Sequence, residues 1–299
     1  YKMANGSSAC TECQNNTFST HHASFIMETC QECPIYSISD SGSDNISKCT
    51  CMKGTTGYNG ENCIMCSAGK YKSVVGSSQC TVCNVGKYSD TIKATNPQTC
   101  LQCPQNTNSG NGTSTKNGCI CIPGTTGVNG YACTECPPGT YKYDKGDSLC
   151  IKCGAGTYST TTQSTKQVDC LGCPENTFSP AGSSMKNNCS CNAGSVGMDG
   201  ESCVLCIAGT YKRTSGTSVC TKCSAGKYST VEGAIFNVCQ SCPVNSNSTV
   251  GSDRILDCIC NAGSTGINGS SCTLCKAGKY KILTGDSPCV DCDSGQYLN

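Results

Sequence analysis

Apolar side chains are thinly scattered along the 299 residues. Outside the cysteines they stand singly or in short groups among Gly, Ser, Thr and Asn, and no run approaches the roughly 18 consecutive apolar residues that a membrane span requires. No helical period surrounds the cysteine pairs, so almost no helix is expected. The segments between cysteines predict turns and short strands instead. The clearest is Cys51 to Cys63, CMKGTTGYNGENC, with the counterparts CIPGTTGVNGYAC, CNAGSVGMDGESC and CNAGSTGINGSSC. Glycine holds three fixed places (Gly54, Gly57 and Gly60), and the last follows Asn59, Asn129, Asp199 or Asn268. Asn-Gly and Asp-Gly favour tight hairpin turns because both central positions need positive φ, so a small hairpin closed by a disulfide is predicted. Calcium is the alternative for these Asn and Asp residues, but neither an Asp-x-Asp-x-Asp-Gly run nor paired carboxylates accompany them.

The pattern repeats. Tyr-Lys recurs at Tyr1, Tyr71, Tyr141, Tyr211 and Tyr280, in steps of 70, 70, 70 and 69 residues, and the cysteines keep the same period. Such a period signals a tandem array. The repeats run over 1–70, 71–140, 141–210 and 211–279, with a partial fifth at 280–299. Each full repeat carries eight cysteines in one order, as in Cys10, Cys13, Cys30, Cys33, Cys49, Cys51, Cys63 and Cys66. The residue missing from the fourth repeat falls between Cys223 and Cys239, in a loop, where indels are tolerated. The chain opens where a repeat opens and stops partway through a unit. It is therefore expected to come from a longer array whose atypical end units lie elsewhere.

Composition explains what must hold such a chain together. With 4 Phe and no Trp against 34 Cys and 34 Gly, little material exists for an apolar core, and cross-links must replace it. A scaffold this rich in disulfides persists in oxidising compartments, so a secreted or cell-surface location is expected. Zinc is the alternative for CxxC pairs. Against it, the two histidines share one loop (His21, His22), while the pairs recur down the whole chain. Redox chemistry needs a strand-to-helix setting that these pairs lack.

A CxxC can place one cysteine in the loop before it and the other in the loop after it. On that rule Cys13 pairs with Cys30, Cys33 with Cys49, Cys51 with Cys63 and Cys66 with Cys80. The order continues with Cys83 and Cys100, Cys103 and Cys119, Cys121 and Cys133, and Cys136 and Cys150, and so on to Cys275 and Cys289. Only Cys10 and Cys292 are left over. Crossed pairing inside a unit remains an alternative, since spacing does not prove connectivity.

The surface offers modification and contact chemistry rather than catalysis. N-glycosylation sequons stand at Asn5, Asn15, Asn45, Asn111, Asn247 and Asn268, and at Asn188, where the middle residue is Cys189. Chance alone would nearly supply this number in so Asn-, Ser- and Thr-rich a chain. The loop after each CxxGxYS segment varies most. It holds Phe25, Ile26 and Met27 in the first copy and Ile235 and Phe236 in the fourth, candidates for an interface between modules or between chains. The recurring Tyr71, Tyr88, Tyr141 and Tyr158 are expected to cover disulfides. Lys plus Arg (21) nearly cancels Asp plus Glu (20), and no like-charge run exists, so nucleic acid is not an expected partner. Neither HExxH nor GxSxG occurs and no carboxylate pair recurs with the repeat, so neither an enzyme nor a cofactor is expected.

Several of these motifs resemble known families. CxCxxGxxGxxGxxCxxCxxGxY, at Cys49 to Tyr71, looks like the second half of a laminin-type EGF module with one longer turn. CPENTFSPAGSSMKNNCSC, at Cys173 to Cys191, resembles the cysteine-rich repeat of Eph receptors, and CxxGxYS resembles tumour necrosis factor receptor modules. Long arrays of this type resemble surface proteins of protists and algae, including EGF-like proteins of flagellar hairs (mastigonemes). The resemblance implies a small disulfide-rich fold: an elongated tandem array of EGF-like and Eph-receptor-like loops with short β-hairpins. The regular 70-residue period adds the expectation of a glycosylated extracellular structural protein that assembles with copies of itself or related repeats into a filament, flagellar hair or coat. The alternative is the rod-like ectodomain of an adhesin or receptor. In the first repeat the Pro-x-Asn-Thr element becomes Pro34-Ile35-Tyr36-Ser37, so that loop is expected to differ.

Overall fold

The computed structural model describes residues 9–22 and 29–293. Phe25, Ile26, Met27 and the sequon at Asn5 lie outside the described residues. Backbone contacts divide the chain into two compact units: one of residues 1–136, 142–150 and 163–165, the other of residues 137–141, 151–162 and 166–299.

Both units are built from four kinds of disulfide-closed loop. In the first repeat these are loop A (Cys13–Cys30), loop B (Cys33–Cys49), loop C (Cys51–Cys63) and loop D (Cys66–Cys80). The first unit continues through the bonds Cys83–Cys100, Cys103–Cys119, Cys121–Cys133 and Cys136–Cys150. The second holds Cys153–Cys170, Cys173–Cys189, Cys191–Cys203, Cys206–Cys220, Cys223–Cys239, Cys242–Cys258, Cys260–Cys272 and Cys275–Cys289. Cys10 and Cys292 are free.

Each loop is a miniature hairpin. The strand that opens it pairs antiparallel with residues at its closing end: Thr17–Phe18 with Gln31–Glu32, Ser37–Ile38 with Thr50–Cys51, Thr55–Thr56 with Ile64–Met65, and Lys70–Tyr71 with Thr81–Val82. These two-residue ribbons are too short to stand alone in water. The disulfide beside each one, with a Cα–Cα distance of 5.6–5.8 Å in this repeat, fits the spacing of an antiparallel pair and holds it closed. Among the described residues the only helical elements are three-residue 3-10 turns, such as Ile46–Lys48 and Ile255–Asp257. Among the described residues no helix is long and apolar enough to cross a membrane.

Successive loops are tied by main-chain hydrogen bonds. Loop A donates from Asn16 N to Ser39 O (2.9 Å) and receives Gly42 N at Cys13 O (2.9 Å). Loops C and D exchange Gly54 N to Lys72 O (2.9 Å) and Gly76 N to Cys51 O (2.8 Å), and loop D meets the next loop A through Gly69 N to Ser89 O (2.7 Å). The core is sulfur: Cys49, Cys51, Cys119 and Cys121 are among the fully buried cysteines, and the buried hydrophobic side chains other than cysteine among the described residues are Phe18, Ala94 and Ala234. Each disulfide contributes on the order of 3 kcal/mol in the chain-entropy treatment for loops of this size.

Glycine marks where backbones pass closest. A Cβ on Gly69, at φ +81°, would stand 2.1 Å from Gly112 O, and one on Gly139, at φ +80°, would stand 2.3 Å from Gly182 O. At Gly69 and Gly139, each in a CxxGxY segment that opens loop D, glycine is thus fixed twice, by conformation and by space.

Two expectations change. The Asn-Gly turn of loop C does not place both residues at positive φ. Gly60 has φ +81° but Asn59 is not left-handed, and Glu61 N donates to Tyr58 O (3.2 Å), as in a turn that needs positive φ only at its third residue. The reason is that this turn does not join the paired strands directly. It lies midway along residues 57–63, where Gly60 N is drawn onto Cys49 O (2.9 Å). The Pro34–Ser37 segment, in turn, keeps the backbone of its counterparts. Tyr36 adopts φ +60° where Asn106, Asn176 and Asn245 have φ +58°, +55° and +59°.

Candidate functional site

Four lysines that the sequence presents only as period markers prove to be buried. Lys72, Lys142, Lys212 and Lys281 are 2, 1, 3 and 7 % exposed. Each follows the tyrosine that opens its repeat, and its stem runs inward from the hairpin of loop D toward loop C. Nζ donates to the carbonyl of the first strand residue of loop C: Thr55 O (2.7 Å), Thr125 O (2.8 Å), Ser195 O (2.6 Å) and Ser264 O (2.9 Å). It donates also to the carbonyl of the glycine four residues on, Gly76, Gly146, Gly216 or Gly285. Those glycines have φ between +112° and +124°, a backbone that only glycine adopts readily.

The lysine therefore clasps loop C to loop D beside the disulfides, using main-chain carbonyls as acceptors. Burial lowers the pKa of Lys72, Lys142 and Lys212 below the ordinary lysine value. Asp147 and Asp144 act in the opposite direction on Lys142, as Asp199 does on Lys212. The signal was present in the sequence as Tyr-Lys-x-x-x-Gly, in YKSVVG, YKYDKG, YKRTSG and YKILTG.

A second recurring contact comes from the asparagine of the CPxN segment in loop B, followed by Thr107, Thr177 or Ser246. Asn106, Asn176 and Asn245 donate Nδ2 to the carbonyls of Cys133, Cys203 and Cys272 (3.0, 2.9 and 3.0 Å), tying loop B to the closing cysteine of loop C. In the first repeat Tyr36 stands at the asparagine's position, and Lys93 lies over its ring at 4.4 Å.

Among the described residues, the remaining predicted ones lie at the surface or half-buried. Asn15, Asn45, Asn111 and Asn247 are exposed, whereas Asn188 and Asn268 are half-buried. Ile235 and Phe236 are 54 and 61 % exposed. Tyr71, Tyr88, Tyr141 and Tyr158 are half-buried on the hairpins next to the CxxC pairs. Equivalent recesses of the first two repeats are lined by Ile38, Ser39 and Thr50, with a volume of about 580 Å³, and by Asn108, Ser109 and Ile120, with about 270 Å³. Their linings differ in chemistry although their places in the repeat coincide. Among the described residues no three His, Cys, Asp or Glu side chains converge on a metal position.

This arrangement is one of cross-linking, in which recurring side chains serve the joints between loops. Comparison with known proteins agrees with that grammar. Residues 54–100, 124–170 and 194–237 match the family described as tyrosine-protein kinase ephrin type A/B receptor-like. Each match starts at the first glycine of a loop C and runs through loop D to the following loop A. Laminin subunit alpha-1 of Mus musculus is 25% identical over 237 residues, taking in 60% of this chain. The chain spans only 7% of that relative's length. The protein is a tandem cysteine-rich repeat protein of the extracellular type, similar to EGF-like and ephrin-receptor-like repeats.

Proposed function

We propose that this chain is a secreted, glycosylated structural protein, a non-catalytic subunit of a cell-surface filament, flagellar hair or coat, that assembles with copies of itself or related repeats. The observation that carries this reading is the recurrence of one joint. The lysine clasp and its glycine return at Lys72, Lys142, Lys212 and Lys281, each beside a loop C and a loop D closed by disulfides. A repeat that keeps its joints constant while its exposed loops vary suits a part that transmits load and repeats a contact. The exposed Ile235 and Phe236 are the candidates for that contact. Electron microscopy of native, unreduced material tests the reading: ordered assemblies with a regular repeat support it, and monodisperse single particles at all concentrations would overturn it.

A second reading, the ectodomain of a receptor or adhesin that binds a protein or glycan ligand, draws on the match to receptor-like repeats. Single particles that capture a cell-surface ligand would favour it.

A further inference from the structure

Every loop B of the four full repeats carries one sequon, yet never at the same place in the loop. Asn45 lies in Cys33–Cys49, Asn111 in Cys103–Cys119, Asn188 in Cys173–Cys189 and Asn247 in Cys242–Cys258. Among the other described loops only the first loop A (Asn15) and the last loop C (Asn268) hold one.

The structure separates these six. Asn45 is exposed, and its Oδ1 accepts the Ser47 N–H at 2.9 Å, so the amide oxygen is engaged with its own backbone and that bond does not occupy Nδ2. Asn247 is exposed in the same manner, with Oδ1 on the Ser248 N–H at 2.9 Å. Asn111 stands exposed at the turn Gly110–Gly112, and Asn15 is exposed in a turn beside the loop-B recess that Ile38 and Ser39 line. Asn188 differs. Its Oδ1 holds the Met185 N–H at 2.9 Å, and the next residue, Cys189, is fully buried and bonded to Cys173. The equivalent residue of the next repeat, Asp257, does the same work on the Arg254 N–H at 3.0 Å, so this position serves the turn. Asn268 has its Oδ1 buried, and the following Gly269 packs against the Ile255–Asp257 turn, where a Cβ would stand 3.1 Å from Ile255 O.

We propose that loop B is the glycan-bearing loop of the repeat, with N-glycans on Asn45, Asn111 and Asn247 and on the adjoining Asn15, while Asn188 and Asn268 stay bare. In the transfer, Nδ2 bonds to the anomeric carbon of an oligosaccharide carried on a lipid pyrophosphate. The anomeric C–O bond breaks, the pyrophosphate leaves with the electron pair, and one amide proton is lost. Closure of Cys173–Cys189 withdraws Asn188 from the transferase, whereas the four exposed asparagines stay reachable before and after folding.

This inference rests on the secreted reading, and one experiment separates the two. The whole chain is expressed through the secretory pathway of a glycosylating host, collected from the medium and shown to be free of reduced thiols beyond Cys10 and Cys292. Glycans are then released by amidase in heavy-oxygen water, and the resulting Asp residues are mapped by mass spectrometry. Label at Asn15, Asn45, Asn111 and Asn247 in most molecules, and at Asn188 and Asn268 in few, is the expected result. Equal label at Asn188 or Asn268, or none on the three loop-B sites of a secreted, oxidised chain, overturns the assignment. A chain that is retained and reduced would overturn the secreted reading instead.

Discussion

Replacing Lys142 with Met keeps most of the buried stem and removes the ammonium. Thr125 O and Gly146 O, which receive its two hydrogen bonds, then lose their donor. An unsatisfied buried carbonyl costs about 1–3 kcal/mol. Relief from desolvating a charge offsets part of this, since burial already lowers the pKa of Lys142 against the pull of Asp147 and Asp144. The balance is a local loss of about 2 kcal/mol, or roughly thirty-fold in the opening equilibrium. Global unfolding is a poor readout because the disulfides stay closed. Amide exchange reports the joint directly, at Gly124 N–H, bonded to Lys142 O at 2.8 Å, and at Gly146 N–H, bonded to Cys121 O at 2.8 Å. Both should exchange about thirty-fold faster in K142M, while Gly69 N–H does not change. The same lysine makes closure depend on pH. Its pKa in the closed state lies below 10.5, so between the two values the open state binds more protons, and closure strengthens as pH rises through that window. A neutral amine still has two hydrogens for two carbonyls, and K142M should abolish the slope. Protection in K142M equal to the parent at both amides would refute the clasp.

Three other outcomes follow from the geometry. Gly69→Ala drives a Cβ toward Gly112 O at positive φ and should cost at least about 2 kcal/mol in exchange protection at Gly69 and Gly112, whereas Gly110→Ala, with nothing within 4 Å, should be close to neutral. Tyr36→Asn should relieve the left-handed strain of an aromatic residue and supply the amide that Asn106 gives to Cys133 O, stabilising the first loop B by about 1 kcal/mol after loss of the Lys93 contact; exchange at Met52 N–H, bonded to Tyr36 O, checks this. The Asp253–Asp257 turn should open in acid. Hydrogen bonding from Arg254 N–H lowers the Asp257 pKa, so the contribution is present above the ordinary carboxyl range and is lost as pH falls through the depressed value. Amide-proton shifts at Arg254 should follow that titration, and those at Met185, held by the neutral Asn188, should not.

Much of the fold is legible because cysteine spacing, CxxGxY and the 70-residue period each act locally. A loop of fixed length with a left-handed glycine at one place has few ways to close. What the sequence hid are contacts made between loops. Lys72 reads only as a marker of the period, because nothing in Tyr-Lys says that carbonyls of residues 55 and 76 will meet its Nζ. Asn59-Gly60 reads as a hairpin centre, because the pull of Cys49 O on Gly60 N comes from the preceding loop. Tyr36 reads as a change of structure, yet the backbone imposed by the neighbouring strands overrides the preference of the residue. The sequon pattern was legible as motifs, but exposure and the use of Asn188 as a turn-holding side chain were not.

The most direct test of a chain held by sequential loop closure is nonreducing peptide mapping of the purified protein, with Cys10 and Cys292 alkylated at acid pH. Peptides joining Cys51 to Cys63 and Cys66 to Cys80, with their counterparts in each later repeat, are expected. Peptides joining Cys51 to Cys66, or Cys63 to Cys80, would contradict the loop-by-loop architecture and the lysine clasp built on it.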